Sequence, residues 1–240
     1  MGELRDGERA PAVAVIVAAA GSGERLGASL PKALVPLGGR PMVTLSLVTA
    51  ASCDAVDLII VAAPPSHVSA IRGSVEAAAL HTPTEVVGGG ASRQDSVRLA
   101  LEVVPSDFGI VVCHDAARPF ASRDLFERVI GAVDGPDGAD GAVPVIRPPD
   151  TVKQLDGDAV GRTIPRESLG LAQTPQAFRA GRLREAHASA ARDGIEATDD
   201  AMLLEVAGMA VVAVPGEAAN VKITTQEDLE RAERIAEGAR

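Results

Sequence analysis

The run from Val13 to Ala20, V-A-V-I-V-A-A-A, limits how this chain can fold more than any other stretch. Its residues are small or β-branched and no polar residue interrupts them, as in a strand covered on both faces. The run breaks at Gly21 into the loop G-S-G-E-R-L-G, and the loop carries Arg25 and then Lys32 before the chain turns apolar again. A buried strand feeding a glycine-rich turn brings backbone N–H groups close to phosphate. Two cations on the same turn add charge where a phosphate needs it. On its glycines alone, a plain structural turn is the rival reading of this loop.

The remainder reads as strand and helix in alternation. A helix is expected over 41–52 behind Pro41, a strand over 57–63 stopped by Pro64-Pro65, and a helix from an N-cap at Ser66 to about residue 80. A short strand over 84–87 then meets Gly88-Gly89-Gly90, and Ser92 caps the next helix. Further strands are expected over 108–113 and 142–146, with a helix between them starting at Ser122. This order predicts an α/β, Rossmann-like fold: a mostly parallel, doubly wound sheet with right-handed crossovers. Around residues 147–170 the pattern changes, and T-V-K-Q-L and A-V-G-R-T-I flank a D-G-D turn as a protruding β-hairpin arm. Such an arm needs another surface on which to bury itself. Helices over 180–192 and 199–207, a strand over 209–214 and a closing helix from Gln226 complete the chain. The simplest parse is a disordered tail over 1–12 and a single domain over 13–237.

Composition removes several classes of partner. A net charge of −10 argues against nucleic acid or an anionic membrane as a general partner, though not against a small anion met by a local cluster of cations. No apolar run approaches the ~18 residues of a membrane span, and the first dozen residues lack the apolar core of a signal peptide. Cys53 and Cys113 have no metal-like spacing and fit reduced thiols in a cytoplasmic protein. Twenty arginines accompany only three lysines, Lys32, Lys153 and Lys222. A GC-rich coding bias accounts for such a ratio, and it leaves lysine enriched where a compact ammonium differs in effect from a guanidinium.

Two familiar nucleotide signatures are absent. Leu26 stands where the dinucleotide fingerprint needs Gly or Ala, and no Gly-Lys-Ser/Thr follows at Walker spacing. Instead, G-G-G-A-S-R-Q-D-S-V (88–97) and H-D-A-A-R-P (114–119) each follow a predicted strand, at the sheet edge the first loop shares. Bare backbone at Gly88 to Gly90 admits a flat base, and Ser96 offers its hydroxyl. Asp115 at a strand end is placed to hold Mg²⁺ directly or through water. His114 reads as structural, and Arg118 either binds ligand or pairs with Asp115. Arg166, Thr174 and Lys222 gain interest only if folding or dimerisation brings them to the first loop.

Taken in order, A-A-A-G-S-G-E-R-L-G…P-K, G-G-G-A-S-R-Q-D-S-V, H-D-A-A-R-P, D-T-V-K, P-R-E-S-L…Q-T-P-Q-A-F, T-D-D-A and N-V-K-I-T resemble the 2-C-methyl-D-erythritol 4-phosphate cytidylyltransferase family. The resemblance runs from about Val13 to Arg234. It implies a homodimer that exchanges its arms, a reaction of CTP with methylerythritol 4-phosphate, and a Mg²⁺ requirement. By the same resemblance Arg25, Lys32, Arg166 and Lys222 are the catalytic residues. Ala19, Ala20, Gly21, Ser22, Gly23, Gly89, Gly90, Arg93, Ser96, Asp115 and Ala116 bind CTP. Asp115, Arg118, Thr151, Arg166, Thr174 and Lys222 meet the second substrate, with Asp115 the contact to metal. The chain departs from the pattern at Gly170, where many members carry tryptophan, and at Ala219, where some carry an acid. Ribitol 5-phosphate cytidylyltransferase is the nearest rival, and Ala117 speaks against it because that relative tends to have a bulkier residue there. A catalytically silent nucleotide-binding subunit is the rival from another class.

Overall fold

The structure, a computed structural model, describes residues 10–21, 23, 26, 30–135 and 137–238. The loop residues Ser22 and Arg25 and most of the expected tail lie outside this set. Strand β1 (Ala12–Ala18) is the centre of the sheet. After it come the two-residue strands β2 (Pro36–Leu37) and β3 (Arg40–Pro41), which pair as a small hairpin, and helix α1 (Met42–Ala51). Next are β4 (Val56–Ala63), α2 (Val68–Ala78), β5 (Thr84–Gly88), α3 (Arg93–Val103), β6 (Phe108–Asp115), α4 (Arg123–Val133) and β7 (Gly141–Ile146). The arm is β8 (Val152–Asp156) and β9 (Ala159–Ile164). Strands β10 (Leu171–Ala172) and β11 (Gln176–Arg179) follow, then α5 (Ala180–Asp193), α6 (Asp200–Val206), β12 (Val211–Pro215) and α7 (Gln226–Gly238).

Strand β1 pairs in parallel with β4 on one side and β6 on the other, and β5 extends the β4 side. Beyond β6 the sheet runs through antiparallel β11 to β7, whose far edge takes β12 in parallel. Leu171 and Ala172 pair with the same edge of β7 as Ala177 and Phe178, so β10 and β11 form one interrupted strand. The sheet is therefore mostly parallel, as the alternation predicts. The segment over 171–179 gave no such signal, because two short pairings around Thr174-Pro175 carry too few residues for a period.

Alternation within β1 sorts the two faces. Val13, Val15 and Val17 pack with Val43 and Leu47 of α1, Ile71 of α2 and Leu125, Phe126 and Val129 of α4. Ala14 and Ile16 face Val97 and Ala100 of α3, Leu183 and Ala186 of α5, and Leu203 and Leu204 of α6. Each fully buried Val, Leu or Ile contributes roughly 1.5–3 kcal/mol by leaving water, so this strand anchors both layers. A third cluster joins Leu26 of the first loop, Leu37, Met42 and Ile223 under α7. It fixes the segment carrying Lys222 beside the first loop.

Ser92, Ser122 and Asp199 each accept a backbone N–H in the first turn of α3, α4 and α6. Ser66 does not cap a helix. The proline pair instead sets a 3₁₀ turn over Pro65–His67, closed by the His67 N–H on Pro64 O at 2.8 Å, and α2 starts at Val68. The Ser66 hydroxyl lies 2.8 Å from His67 Nδ1. Beyond Val214 the chain passes through N-V-K-I-T without regular structure, and a reciprocal capping box starts α7. In that box the Thr225 N–H donates to Asp228 Oδ2 at 2.9 Å and the Asp228 N–H to Thr225 Oγ1 at 3.2 Å. The hairpin arm forms as expected, with Gly157 at φ +56° in its turn, and it pairs with no strand of the main sheet.

Candidate active site

From β1 the chain crosses first toward β4 and β5 and later to β6 on the opposite side, which makes the carboxyl end of β1 the point where strand order reverses. Crevices open at such points because the loops from neighbouring strands diverge. Here the loops after β1, β5 and β6 enclose a cavity of about 550 Å³, lined by Ala19, Ala20, Gly21, Lys32, Gly90, Arg93, Ser96, Asp115, Ala116 and Lys222 among others. Gly89 makes the close approach possible. A Cβ there would lie 2.7 Å from Ala20 Cβ and 2.8 Å from Ser96 Oγ. Ser96 Oγ accepts the Gly90 N–H at 3.1 Å and donates to Ser92 O at 2.8 Å, which pins the glycine loop to α3. Gly23, at φ +78°, packs directly on the backbone of Lys32.

Charge on the cavity floor is organised around Asp115, which is 6% exposed. Its Oδ1 accepts Arg93 Nε at 2.8 Å and its Oδ2 accepts Lys222 Nζ at 2.7 Å. Burial works to raise the Asp115 pKa, but the charges of Arg93 and Lys222 outweigh it and hold the carboxyl well below the ordinary range. Asp115 is thus a fixed anion, unsuited to proton transfer near neutrality. Beneath it, Thr174 Oγ1 accepts the Asp115 backbone N–H at 3.0 Å and lies 3.2 Å from His114 Nδ1. Burial pushes the His114 pKa down to about 4, so the ring is neutral at physiological pH. The ring lies beside Phe126 at a centroid separation of 5.2 Å.

The family model for IspD, 2-C-methyl-D-erythritol 4-phosphate cytidylyltransferase, matches residues 13–237. The chain belongs to this family. A relative of that name from Frankia casuarinae is 44% identical over 226 residues, covering 94% of this chain and 81% of the relative. One from Thermus thermophilus is 43% identical over 93% of this chain and 97% of its own. The crystal structure of the enzyme from Thermus thermophilus matches at a TM-score of 0.76 with 38% identity, covering 94% of this chain and 99% of that one. The 4-diphosphocytidyl-2C-methyl-D-erythritol synthase of Anaerococcus prevotii matches at 0.83 with 29% identity over 95% and 99%.

Against the residues expected of the family, most of the nucleotide set falls in one place. Ala19, Ala20, Gly21, Gly90, Arg93, Ser96, Asp115, Ala116, Lys32 and Lys222 line the cavity. Gly89 packs against Ala20 and Ser96 of its lining, and Gly23 against the backbone of Lys32. Thr174 stands under Asp115 and is 4% exposed. Arg118 donates to Asn220 O at 2.8 Å and Ala172 O at 3.1 Å, which holds the segment leading to Lys222. Thr151 and Arg166 do not join them within one chain. Arg166 donates to Pro149 O at 2.6 Å in a separate open cleft with Arg147, Pro148 and Glu167 at the base of the arm. Gly170 lies against Val145, where a Cβ would come within 3.0 Å.

Several supporting residues had no assigned role in the sequence. Gln173 accepts the Glu217 N–H at 3.0 Å and donates to Glu217 O at 2.8 Å, and Asn220 Nδ2 donates to Thr174 O at 2.9 Å. Asp200, from T-D-D-A, takes Arg93 Nη1 at 2.8 Å, and the motif itself was the available signal. For a divalent metal the donor set is small. Among the described residues no group of three or more potential His, Cys, Asp or Glu ligands occurs, and Asp115 is the one acid lining the cavity. With both Asp115 oxygens already paired to cations, these residues fit an ion held chiefly by substrate phosphates, as Mg²⁺ is in many nucleotide sites.

Proposed function

We propose that this chain transfers the cytidylyl group of CTP to 2-C-methyl-D-erythritol 4-phosphate, giving 4-diphosphocytidyl-2-C-methyl-D-erythritol and pyrophosphate. The observation that carries this reading is the convergence of Lys32, Lys222 and Arg93 on a cavity whose other wall is glycine backbone. A phosphate monoester is already an anionic nucleophile near neutral pH. One of its oxygens forms a bond to the α-phosphorus as the bond from that phosphorus to the β-phosphate bridging oxygen breaks, and pyrophosphate leaves with the electron pair. No general base is needed, which agrees with a floor whose Asp115 stays ionised and whose His114 is buried and neutral. What opposes reaction is anion–anion repulsion and charge growing on the leaving group, so catalysis is alignment plus electrostatic stabilisation.

In this reading Lys32, with Arg25, stabilises the triphosphate as charge shifts, and Lys222 holds the attacking phosphate where Asp115 fixes its ammonium. Glycine backbone at 89–90 and Ser96 receive the cytosine. When bound, Mg²⁺ would neutralise triphosphate charge, with Asp115 as the residue that would hold it, directly or through water. Thr151 and Arg166 reach the attacking phosphate across a homodimer with exchanged arms, in the cytoplasm. Two exposed apolar residues paired across the arm, Leu155 and Val160, support that packing. The test is pyrophosphate release with CTP plus methylerythritol 4-phosphate, run beside ribitol 5-phosphate and other nucleoside triphosphates. Turnover of methylerythritol 4-phosphate with CTP alone is expected, and turnover of ribitol phosphate alone overturns the choice of substrate.

A further inference from the structure

Behind the cavity floor, on a residue that does not itself line the cavity, lies a second carboxylate. Asp200 opens α6 and is 1% exposed. Its Oδ2 takes Arg93 Nη1 at 2.8 Å, and its Oδ1 lies 3.4 Å from Nε2 of His187, itself 3% exposed on α5. Arg93 turns its Nε to Asp115, so one rigid guanidinium bridges two buried acids. The ion chain runs Asp200, Arg93, Asp115, Lys222, alternating in sign from the interior to the cavity. A planar guanidinium gripped at one N–H can still swing about that bond, whereas one gripped at two edges has its plane fixed. The first turn of a helix favours an acid, but that preference needs no arginine from a different helix. An acid this deeply buried is retained where its charge is matched, and Arg93 is the cation that matches it.

We propose that Asp200 is a positioning residue for the reaction: by holding one edge of Arg93 it fixes the other on Asp115, and so sets where Lys222 meets the attacking phosphate. This rests on the cytidylyl-transfer reading above. It assigns Asp200 an effect on turnover although it touches neither substrate.

The test is steady-state kinetics of Asp200→Asn, which keeps the shape and removes the charge, with thermal melts alongside and Asp200→Ser as the second variant. Small misplacements of catalytic groups cost as much as 10²-fold, so kcat is expected to fall about 10- to 100-fold per folded molecule while KM for CTP moves far less. Because the effect passes through Arg93, adding Asp200→Asn to an Arg93→Met protein should lower kcat little further. An unchanged kcat in a folded variant overturns the proposal. So does a loss of rate that tracks only the loss of folded protein, or failure of both variants to fold, since either assigns Asp200 to stability alone. Full additivity with Arg93→Met also overturns it. The wild-type enzyme separates the two readings: no product from it removes the reaction and this role together, whereas product with an unaffected Asp200→Asn removes only the role.

Discussion

The floor around Asp115 and the arm over 147–170 are built on opposite terms. The charged groups around Asp115 are held within the same chain: the Asp115 carboxylate by Arg93 and Lys222, its backbone N–H by Thr174, and Lys222 by a segment tied to Arg118, Gln173 and Asp228. The arm has a turn and a ladder but no core. Leu155 and Val160 sit opposite one another in its register and are 65% and 67% exposed. A two-stranded hairpin of this kind is marginal in water unless it is covered. One region is held together by contacts within the chain, and the other leaves apolar side chains that the proposed arm exchange would cover. In the proposed reaction between two anions that division would have a use, because the nucleotide side can be rigid while the proposed arm exchange would complete the site for the second substrate.

The sharpest way to break the comparison is to remove residues 150–164. Turnover is expected to drop more than about 10³-fold, since Thr151 goes with the arm and Arg166 loses the hairpin that would carry it to the site. The truncated chain should sediment as a monomer and still bind CTP in calorimetry. A truncated protein that stays dimeric and active means the arm completes nothing. Next in size are the floor cations. Lys222→Ala and Lys32→Ala should each lower kcat about 10²–10³-fold, by analogy with a lost oxyanion donor, read as pyrophosphate release. Lys153→Ala, on the arm and bonded to Thr163 at 2.7 Å, should change it little.

A third experiment probes whether the floor is as preorganised as its contacts indicate. The buried His114 has its pKa lowered from 6.5 to about 4, so the native state favours the neutral ring. Its stabilising contribution is complete above pH 6.5 and is lost as pH falls through 4, an effect of up to about 3 kcal/mol. Chemical denaturation of wild type and His114→Asn between pH 7.5 and 4 should show a steeper decline for wild type. Equal slopes remove this ring from the account. Gly89→Ala follows, costing about 1–3 kcal/mol because the added methyl meets Ala20, Ser96 and Ala63 O, with weaker CTP binding in the same titration. The smallest effect is at Asp228→Ala, about 1 kcal/mol of stability in a thermal melt from losing the capping box that holds Thr224 and Thr225.

What the chain discloses without its fold follows from how local each signal is. The buried strand at 13–18, the glycine loops at strand ends and the hairpin turn at Gly157 are set by neighbours in sequence, and periodicity and turn chemistry report them. Ser66 misleads because a proline pair next to it imposes a competing turn. Strands β10 and β11 leave no period because their partners, Val145 and Ile146 on one side and residues 110–113 on the other, lie far away along the chain. The site divides in the same way. Residue types at Lys32, Asp115 and Lys222 name a chemistry, and the ordered motifs name a family. Tertiary structure alone decides that Arg93 bridges Asp115 and Asp200, that Arg118 serves the backbone of Asn220 and Ala172, and that Thr174 lies under the floor. Ion pairs and hydrogen bonds act over about 3 Å in space whatever the separation in sequence, so a partner more than a hundred residues away leaves no trace in local pattern.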